Sequence, residues 1–299
     1  MSTRIPTDVG ARSQRRRGIS ARSSAGGRYR AGQFALYLVL SAWAIISLVP
    51  ILYAVLTSFK SSPQIYANPY DVPHPFLWDN YATAWTQGNL GRYFVNGIIV
   101  GTISAALTLA VAAPAAYAFA RFHFRARRLM HVFLAALIVP QQVVLIPLFI
   151  LFRTVHLLDT WFALFLVYAA FGFPFTAYYL HSFFKGLPRE LEDAASIDGC
   201  TPFQTFYKVM LPLGQPALVT MAILGFLNVW NDLIFVLVLI QSNDLRTVPA
   251  GLTYFQGQWS SQTGVILAGA VLSMTPIALL YLALNRKITE GLTAGAIKA

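Results

Sequence analysis

The spacing of charged residues constrains this chain more than any other feature of its sequence. Six long stretches contain no Asp, Glu, Lys or Arg. They lie between Arg30 and Lys60, Arg92 and Arg121, Arg128 and Arg153, Asp159 and Lys185, Lys208 and Asp232, and Arg246 and Arg286. A bilayer core of about 30 Å requires roughly 20 helical residues, which each stretch can supply. The sequence therefore predicts an all-α, polytopic membrane protein with six transmembrane helices.

Composition and the positions of the basic residues agree with this topology. Hydrophobic residues make up 57% of the chain and charged residues only 11%, against about 25% charged in ordinary globular domains. An even number of spans places both termini on one side, and that side receives most of the 22 Lys and Arg residues. The positive-inside rule predicts that this side is cytoplasmic. The net charge of +11 is then explained by topology, and no nucleic-acid binding is expected.

Residues 1–30 differ in composition from the rest of the chain. They are rich in Arg, Ser and Gly, and we expect them to form a disordered cytoplasmic tail that can contact anionic lipid. Residues 31–299 are expected to form a single transmembrane domain. The single Cys200 excludes a disulfide within the chain.

The segment 187–212 lies between two charge-free stretches and carries the signals of a small folded unit. Pro188 suits the first turn of a helix, and three acidic residues near its N-terminus complement the helix dipole. Gly199 can adopt the left-handed conformation that ends a helix. Thr201 followed by Pro202 is typical of the cap and first residue of a second helix. The sequence therefore predicts two helices joined at a glycine corner on the cytoplasmic side.

This segment also resembles the Glu-Ala-Ala loop of the permeases of bacterial binding-protein-dependent ABC importers. The matching residues are Asp193, Ala194, Ala195, Gly199, Val209, Leu211 and Pro212. Asp193 replaces the Glu of the pattern, and Glu192 precedes it. The C-terminal sequence GLTAGAIKA, residues 291–299, is similar to the tail of the maltose-type carbohydrate permeases.

The resemblance implies a type I ABC importer transmembrane domain that forms half of a translocation pathway in the bacterial inner membrane. The implied partners are a homologous second permease subunit, a dimeric cytoplasmic ATPase, an extracytoplasmic solute-binding protein and a sugar substrate. The residues implied to couple to the ATPase are Glu192, Asp193, Ala194, Ala195, Gly199, Leu211 and Pro212. The residues implied to contact it through the C-terminal tail are Gly291, Leu292, Thr293 and Gly295.

The chain lacks the sequence patterns of an enzyme. The phosphate-binding pattern Gly-x-x-x-x-Gly-Lys-Ser/Thr does not occur, so ATP hydrolysis is expected in a separate subunit. Neither a Gly-x-Ser-x-Gly elbow nor a His-Glu-x-x-His pair occurs, and the five His residues are scattered. We therefore expect no catalytic residue, no metal and no cofactor.

Three polar residues stand out in the fifth predicted span, whose end the sequence does not fix. If it runs from about Pro216 to about Ile240, Asn228 lies near the middle of the bilayer. Asn228, Asn231 and Asp232 are spaced for one helical face. A charge within a membrane commonly marks a polar pathway, and carboxylates and amides suit sugar hydroxyls. The alternative is that these residues join neighbouring helices or end the helix. The sequence leaves both interpretations open.

Three functions are compatible with parts of the sequence. A permease subunit of an ATP-driven carbohydrate importer explains the spans, the 187–212 segment, the tail and the missing nucleotide site together. A permease for another solute class would share the 187–212 segment, although the tail favours sugars. An intramembrane enzyme would need paired catalytic groups at membrane depth, where only Asp232 is available.

Overall fold

The computed structural model describes residues 11–122, 129–258 and 261–296, and these residues form helices and turns without any strand. The helices are α1 (Ala11–Thr57), α2 (Ser62–Ala67), α3 (Asp79–Thr86), α4 (Leu90–Arg121), α5 (Leu129–Ala136), α6 (Leu145–Thr154), α7 (Trp161–Gly186), α8 (Glu190–Ile197), α9 (Pro202–Thr205), α10 (Leu211–Leu213), α11 (Gln215–Asn231), α12 (Ile234–Leu239), α13 (Val248–Gln258) and α14 (Thr263–Ala296). This confirms the predicted all-α class.

The first helix makes up most of one of two compact units, which divide between Leu56 and Thr57. α1 is 47 residues long, and its part from Leu36 onward is apolar enough to cross a bilayer. Its backbone is helical from Ala11, and residues 1–10 of the expected tail lie outside the described residues. No proline interrupts the chain between Pro6 and Pro50, and extending an existing helix avoids the cost of nucleation.

Four helices among the described residues are long and apolar enough to span a membrane. They are Leu36–Thr57, Leu90–Arg121, Trp161–Gly186 and Thr263–Ala283. A fifth candidate is the pair Pro202–Leu213 and Gln215–Asn231, which bends by 73°. By length and composition, the described residues therefore supply four or five spans rather than the six predicted.

The difference arises because two of the predicted spans are interrupted. In the third, α5 ends at Ala136, and a 3-10 turn (Gln141–Val144) after Pro140 separates it from α6. Proline lacks an N–H and disfavours a helical residue before it, which explains this break. In the fifth, α11 ends at Asn231 and Asp232 is extended, so the stretch from about Pro216 to about Ile240 is not one continuous helix.

In the second unit, α4 packs along both α7 and α11. In the contact between α4 and α11, each pair of facing residues includes at least one glycine. The facing pairs are Gly97 with Trp230, Gly101 with Phe226, and Ala105 with Gly225. A Cβ on Gly101 would lie 2.8 Å from the Phe226 ring, so the absence of a side chain allows the two helices to approach closely.

One glycine contact generates a stability prediction. Gly264, in the first turn of α14, lies against the carbonyl oxygen of Lys60, which also accepts a 3.0 Å hydrogen bond from Asn80 Nδ2. A Cβ would lie only 2.1 Å from that oxygen, so Gly264→Ala should displace the start of α14 and cost about 1–3 kcal/mol. We expect a lower Tm for the detergent-solubilised protein. Gly257→Ala is the matched control, because no described atom beyond the backbone of its own helix and its chain neighbours would lie within 4 Å of the new Cβ. Equal Tm values for the two variants would contradict the prediction.

Candidate functional site

The 187–212 segment folds into the two helices and glycine corner that its sequence predicts. α8 carries three acidic residues in its first turn and ends at Ile197. Gly199 follows with a φ of +77°, in the left-handed region, and open space surrounds the position of a Cβ. Backbone conformation, rather than crowding, therefore favours glycine at this position. At the start of α9, Thr201 and Gln204 exchange hydrogen bonds of 3.3 and 2.8 Å in a capping box.

The segment then turns into the membrane through an irregular helical region. A π-helical turn from Phe206 to Met210 leads into α10, and α11 follows at the 73° bend. Leu211 packs against the apolar cluster around Phe184 and Phe206, while Pro212 is exposed. Pro212 occupies an early position of α10, where its missing N–H costs little.

Glu192, predicted as an ATPase-coupling residue, turns toward its own chain. Its Oε2 lies 3.4 Å from Nε of Arg121, the last residue of α4, and the two side chains are only 19% and 5% exposed. Nη2 of Arg121 also donates a 2.9 Å hydrogen bond to the carbonyl of Leu187. Both ions line a cavity of about 190 Å³ together with Tyr117 and Cys200.

The opposite face of the segment is open to solvent. Asp193 and Ala194 are exposed, whereas Ala195 is buried. Three large apolar side chains are also exposed, and they are Ile197 (87%), Phe203 (75%) and Tyr207 (64%). The two adjacent acidic residues therefore point to different sides of α8. Glu192 points toward α4, and Asp193 points into solvent.

Two of the three predicted pathway residues line an enclosed cavity of about 30 Å³ between α4, α7 and α11. These are Asn228 and Asp232, and the volume suffices for a water molecule. Asn231 is not part of the lining, because its Nδ2 donates a 2.8 Å hydrogen bond to the carbonyl of Leu227, one turn earlier. The cavity is also lined by four polar residues that the sequence did not single out. They are Thr108, Gln141, Tyr168 and Thr176. Thr108, Tyr168 and Thr176 are single polar residues in apolar stretches, and Gln141 is followed only by Gln142, so no helical pattern of polar residues marks them.

Asp232 makes the contacts expected of a residue that ends one helix and joins neighbouring ones. Its Oδ1 accepts a 2.9 Å hydrogen bond from the Tyr168 hydroxyl on α7 and a 3.0 Å hydrogen bond from the backbone N–H of Phe235. The second bond satisfies a free donor in the first turn of α12. The carboxylate therefore stabilises the break between α11 and α12 and ties it to α7.

At the end of α4 remote from Arg121, polar side chains hold the loop between α12 and α13. The Tyr93 hydroxyl donates to Oδ1 of Asn243 at 2.7 Å. Asn96 Nδ2 donates to the carbonyls of Asp244 and Arg246, each at 2.8 Å. α4 thus contacts the 187–212 segment at one end and this loop at the other.

Asp159 anchors the start of the same loop. Its carboxylate accepts hydrogen bonds from the backbone amides of Gln241 (2.9 Å) and Ser242 (2.8 Å) and from the Ser242 hydroxyl. Burial acts to raise the pKa of Asp159, but these hydrogen bonds and the nearby Arg246 outweigh it and lower the pKa. A lowered pKa means that the carboxylate stabilises the loop above the unfolded-state pKa, and that this contribution is lost as pH falls through the folded-state pKa.

The predicted tail residues lie at the end of the last helix. The backbone of Gly291, Leu292, Thr293 and Gly295 belongs to α14, which ends at Ala296. Their side chains, and residues 297–299 entirely, lie outside the described residues.

Comparison with known proteins identifies the family. Residues 97–292 match the family described as binding-protein-dependent transport system inner membrane component. The chain belongs to this family. The permease is therefore a multi-pass membrane protein of a transport system that operates with a solute-binding protein and with an ATPase on another chain.

Several curated relatives match almost the whole permease. It is 35% identical over 268 residues to the probable ABC transporter permease protein YurM of Bacillus subtilis, with 89% of each chain covered. It is 34% identical over 265 residues to the diacetylchitobiose uptake system permease protein NgcG of Streptomyces coelicolor, with 88% of each covered. It is 36% identical over 268 residues to the trehalose transport system permease protein SugB of Mycobacterium tuberculosis, covering 86% of the permease and 97% of SugB.

A solved structure supports the same fold. It is the crystal structure of a bacterial ABC transporter involved in the import of the acidic polysaccharide alginate. One of its chains superposes with a TM-score of 0.74 at 21% sequence identity, with 95% of the permease and 99% of that chain covered. The permease therefore has the fold of an ABC importer transmembrane domain.

The contacts of Asp232 predict how a structural role of its carboxylate can be distinguished from a role in transport. Asp232→Ala should leave the Tyr168 hydroxyl and the Phe235 N–H without their acceptor, at a cost of about 1–3 kcal/mol. Asp232→Asn keeps an acceptor oxygen and should retain most of that stability. We would measure Tm in detergent and solute uptake per assembled complex. An unchanged Tm with lost uptake in Asp232→Ala would show that the carboxylate acts chiefly in the pathway.

Proposed function

We propose that the permease is a subunit of an ATP-driven carbohydrate importer and forms one half of the translocation pathway. A homologous second permease subunit would form the other half. The names of the curated relatives support the solute class, since diacetylchitobiose and trehalose are both carbohydrates. The tail sequence at residues 291–299 favours the same class.

The main support for the transport mechanism is that the 187–212 segment has one face attached to α4 and another exposed to solvent. Its inner face is fixed to α4 by Arg121, and its outer face presents Asp193, Ile197 and Phe203 to solvent. Exposed apolar side chains on an ordered corner are typical of a surface that binds another protein. We propose that this face docks on the ATPase, with Gly199 setting the angle between the two helices.

The same proposal assigns the sides of the membrane. The positive-inside rule supports a cytoplasmic location for the 187–212 segment and for both termini. The loop held by Tyr93 and Asn96 then faces the extracytoplasmic side, where the solute-binding protein delivers the sugar. The tail residues Gly291, Leu292, Thr293 and Gly295 are proposed as a second contact with the ATPase dimer.

Transport would proceed by alternating access. ATP closes the ATPase dimer, the docked segments move with it, and the helices open outward toward the solute-binding protein. Because ligands shift only those equilibria whose states they bind differently, ATP must favour the contacts of one state over those of the other. We propose that Asn228, Asn231 and Asp232 border the pathway. The cavity of about 30 Å³ has room for water but not for a sugar ring, so the sugar would pass between this subunit and its partner rather than through this cavity.

The solute class can be tested with the reconstituted complex. The permease, its partner subunit and the ATPase would be placed in proteoliposomes with the matching solute-binding protein. We expect oligosaccharides or disaccharides to stimulate ATP hydrolysis and to accumulate inside the vesicles. Stimulation by amino acids, phosphate or peptides, with none by carbohydrates, would instead support an importer for another solute class.

The docking function can be tested at the glycine corner. The left-handed conformation costs about 1–2 kcal/mol for a residue with a side chain, so Gly199→Val should weaken ATPase docking by roughly five- to thirtyfold. We would measure co-purification of the ATPase and sugar uptake. Gly199→Asn is the matched control, because Asn tolerates this conformation and open space surrounds the site. Normal docking and uptake in Gly199→Val would exclude the docking role.

A further inference from the structure

The docking proposal requires that movement of the 187–212 segment reach the membrane helices. Among the described residues, one ion pair joins this segment to a membrane-spanning helix, and it is the pair between Arg121 and Glu192. Both side chains are largely buried, and neither position was predicted to contact the other. The effect of this ion pair on the membrane helices depends on the other contacts that the two side chains make.

Arg121 holds the segment at two points. Its Nη2 binds the Leu187 carbonyl just before α8 begins, and its Nε faces Glu192 in the first turn of α8. A planar guanidinium can face two such partners at once, whereas a lysine ammonium offers only a point charge. The contact with Glu192 is an ion pair without a hydrogen bond, because Nε of Arg121 has no hydrogen-bond partner among the described residues. Separating a buried pair leaves an uncompensated charge in a poorly solvated site. The start of α8 therefore resists displacement relative to the end of α4.

The residue one turn earlier in α4 reinforces this connection. Tyr117 and Arg121 share a helix face, and the Tyr117 ring lies 5.1 Å from the Phe206 ring, centroid to centroid. It also lies 6.0 Å from the ring of Phe184, near the end of α7. The inner end of α4 thus contacts both halves of the 187–212 segment, α8 through Arg121 and the π-helical turn through Tyr117.

The helix to which the segment is tied reaches the other side of the protein. α4 contains 32 residues and extends about 48 Å at 1.5 Å per residue. Its outer end holds the loop at Asn243–Arg246 through Tyr93 and Asn96. A displacement of α8 that carries α4 with it therefore also acts on this extracytoplasmic loop.

We infer that Arg121 is a positioning residue that transmits movement of the docked segment to α4, and that Glu192 acts through Arg121 rather than by touching the ATPase. This inference rests on the proposed docking function. If the inference is correct, loss of the ion pair between Arg121 and Glu192 uncouples ATP hydrolysis from transport while the ATPase stays bound. A direct Glu192 contact with the ATPase would instead weaken docking.

A double-mutant cycle in proteoliposomes tests the inference. The variants are Glu192→Gln, Arg121→Met and the combination of both, with Arg121→Lys as a partial replacement. The measurements are sugar transported per ATP hydrolysed and co-purification of the ATPase. We expect each single variant to lower the transport ratio by about fivefold, within the range of coupling effects of single substitutions. The double variant should be no worse than the worse single variant, because both remove the same contact.

The controls separate coupling from charge and from folding. Glu190→Gln removes an exposed acid from the same turn of α8 and should leave the transport ratio unchanged. Arg121→Lys should lie between wild type and Arg121→Met, because it keeps the charge without the two-point contact. If Arg121→Met fails to accumulate, then unchanged ratios in Glu192→Gln and Arg121→Lys overturn the inference. Lower abundance with an unchanged ratio per complex, or additive losses in the double variant, would also overturn it.

The Gly199 variants distinguish failure of this inference from failure of the docking proposal. If Gly199→Val loses docking while the Arg121 and Glu192 variants keep a normal transport ratio, docking stands and the transmission role fails. If Gly199→Val docks and transports normally, the docking proposal fails and the transmission role fails with it.

Discussion

Close packing of α4 against α7 and α11 is the contact on which the rest of the second unit depends. Lipid is as apolar as leucine, so helices in a bilayer associate through van der Waals contact and hydrogen bonds rather than through exclusion of water. Gly97 and Gly101 permit that contact by leaving room for the rings of Trp230 and Phe226. The enclosed cavity, the 187–212 segment and the loop after α12 are each built against α4.

The interruptions in two predicted spans meet at one cavity. Non-helical backbone within a membrane is tolerated only where it is satisfied by protein or faces a cavity. The break between α11 and α12 places Asp232 at the cavity, and the 3-10 turn before α6 places Gln141 there. The Asp232 carboxylate satisfies part of the freed backbone by accepting from Phe235. Interrupted helices of this kind commonly border transport sites.

Local sequence signals predicted some parts of this fold well and others not at all. The charge-free stretches predicted the positions of α4, α7 and the apolar part of α14 closely. Charged side chains are costly at every position of a membrane span, so their absence marks the whole span. The same signal could not locate the breaks at Pro140 and Asp232, since hydropathy does not report helix continuity. Capping and glycine rules predicted the two helices around Gly199, because those contacts are local. The pair of Arg121 with Glu192 joins distant parts of the chain, so only the tertiary fold brings it together.

The two adjacent acids of α8 show how one short sequence can serve two surfaces. Successive residues of an α-helix point about 100° apart, so Glu192 and Asp193 cannot face the same neighbour. Glu192 keeps the longer side chain and reaches Arg121 across the inner face, while Asp193 remains in solvent. The replacement of Glu by Asp in the family pattern therefore shortens the outward side chain and leaves the inward ion pair intact.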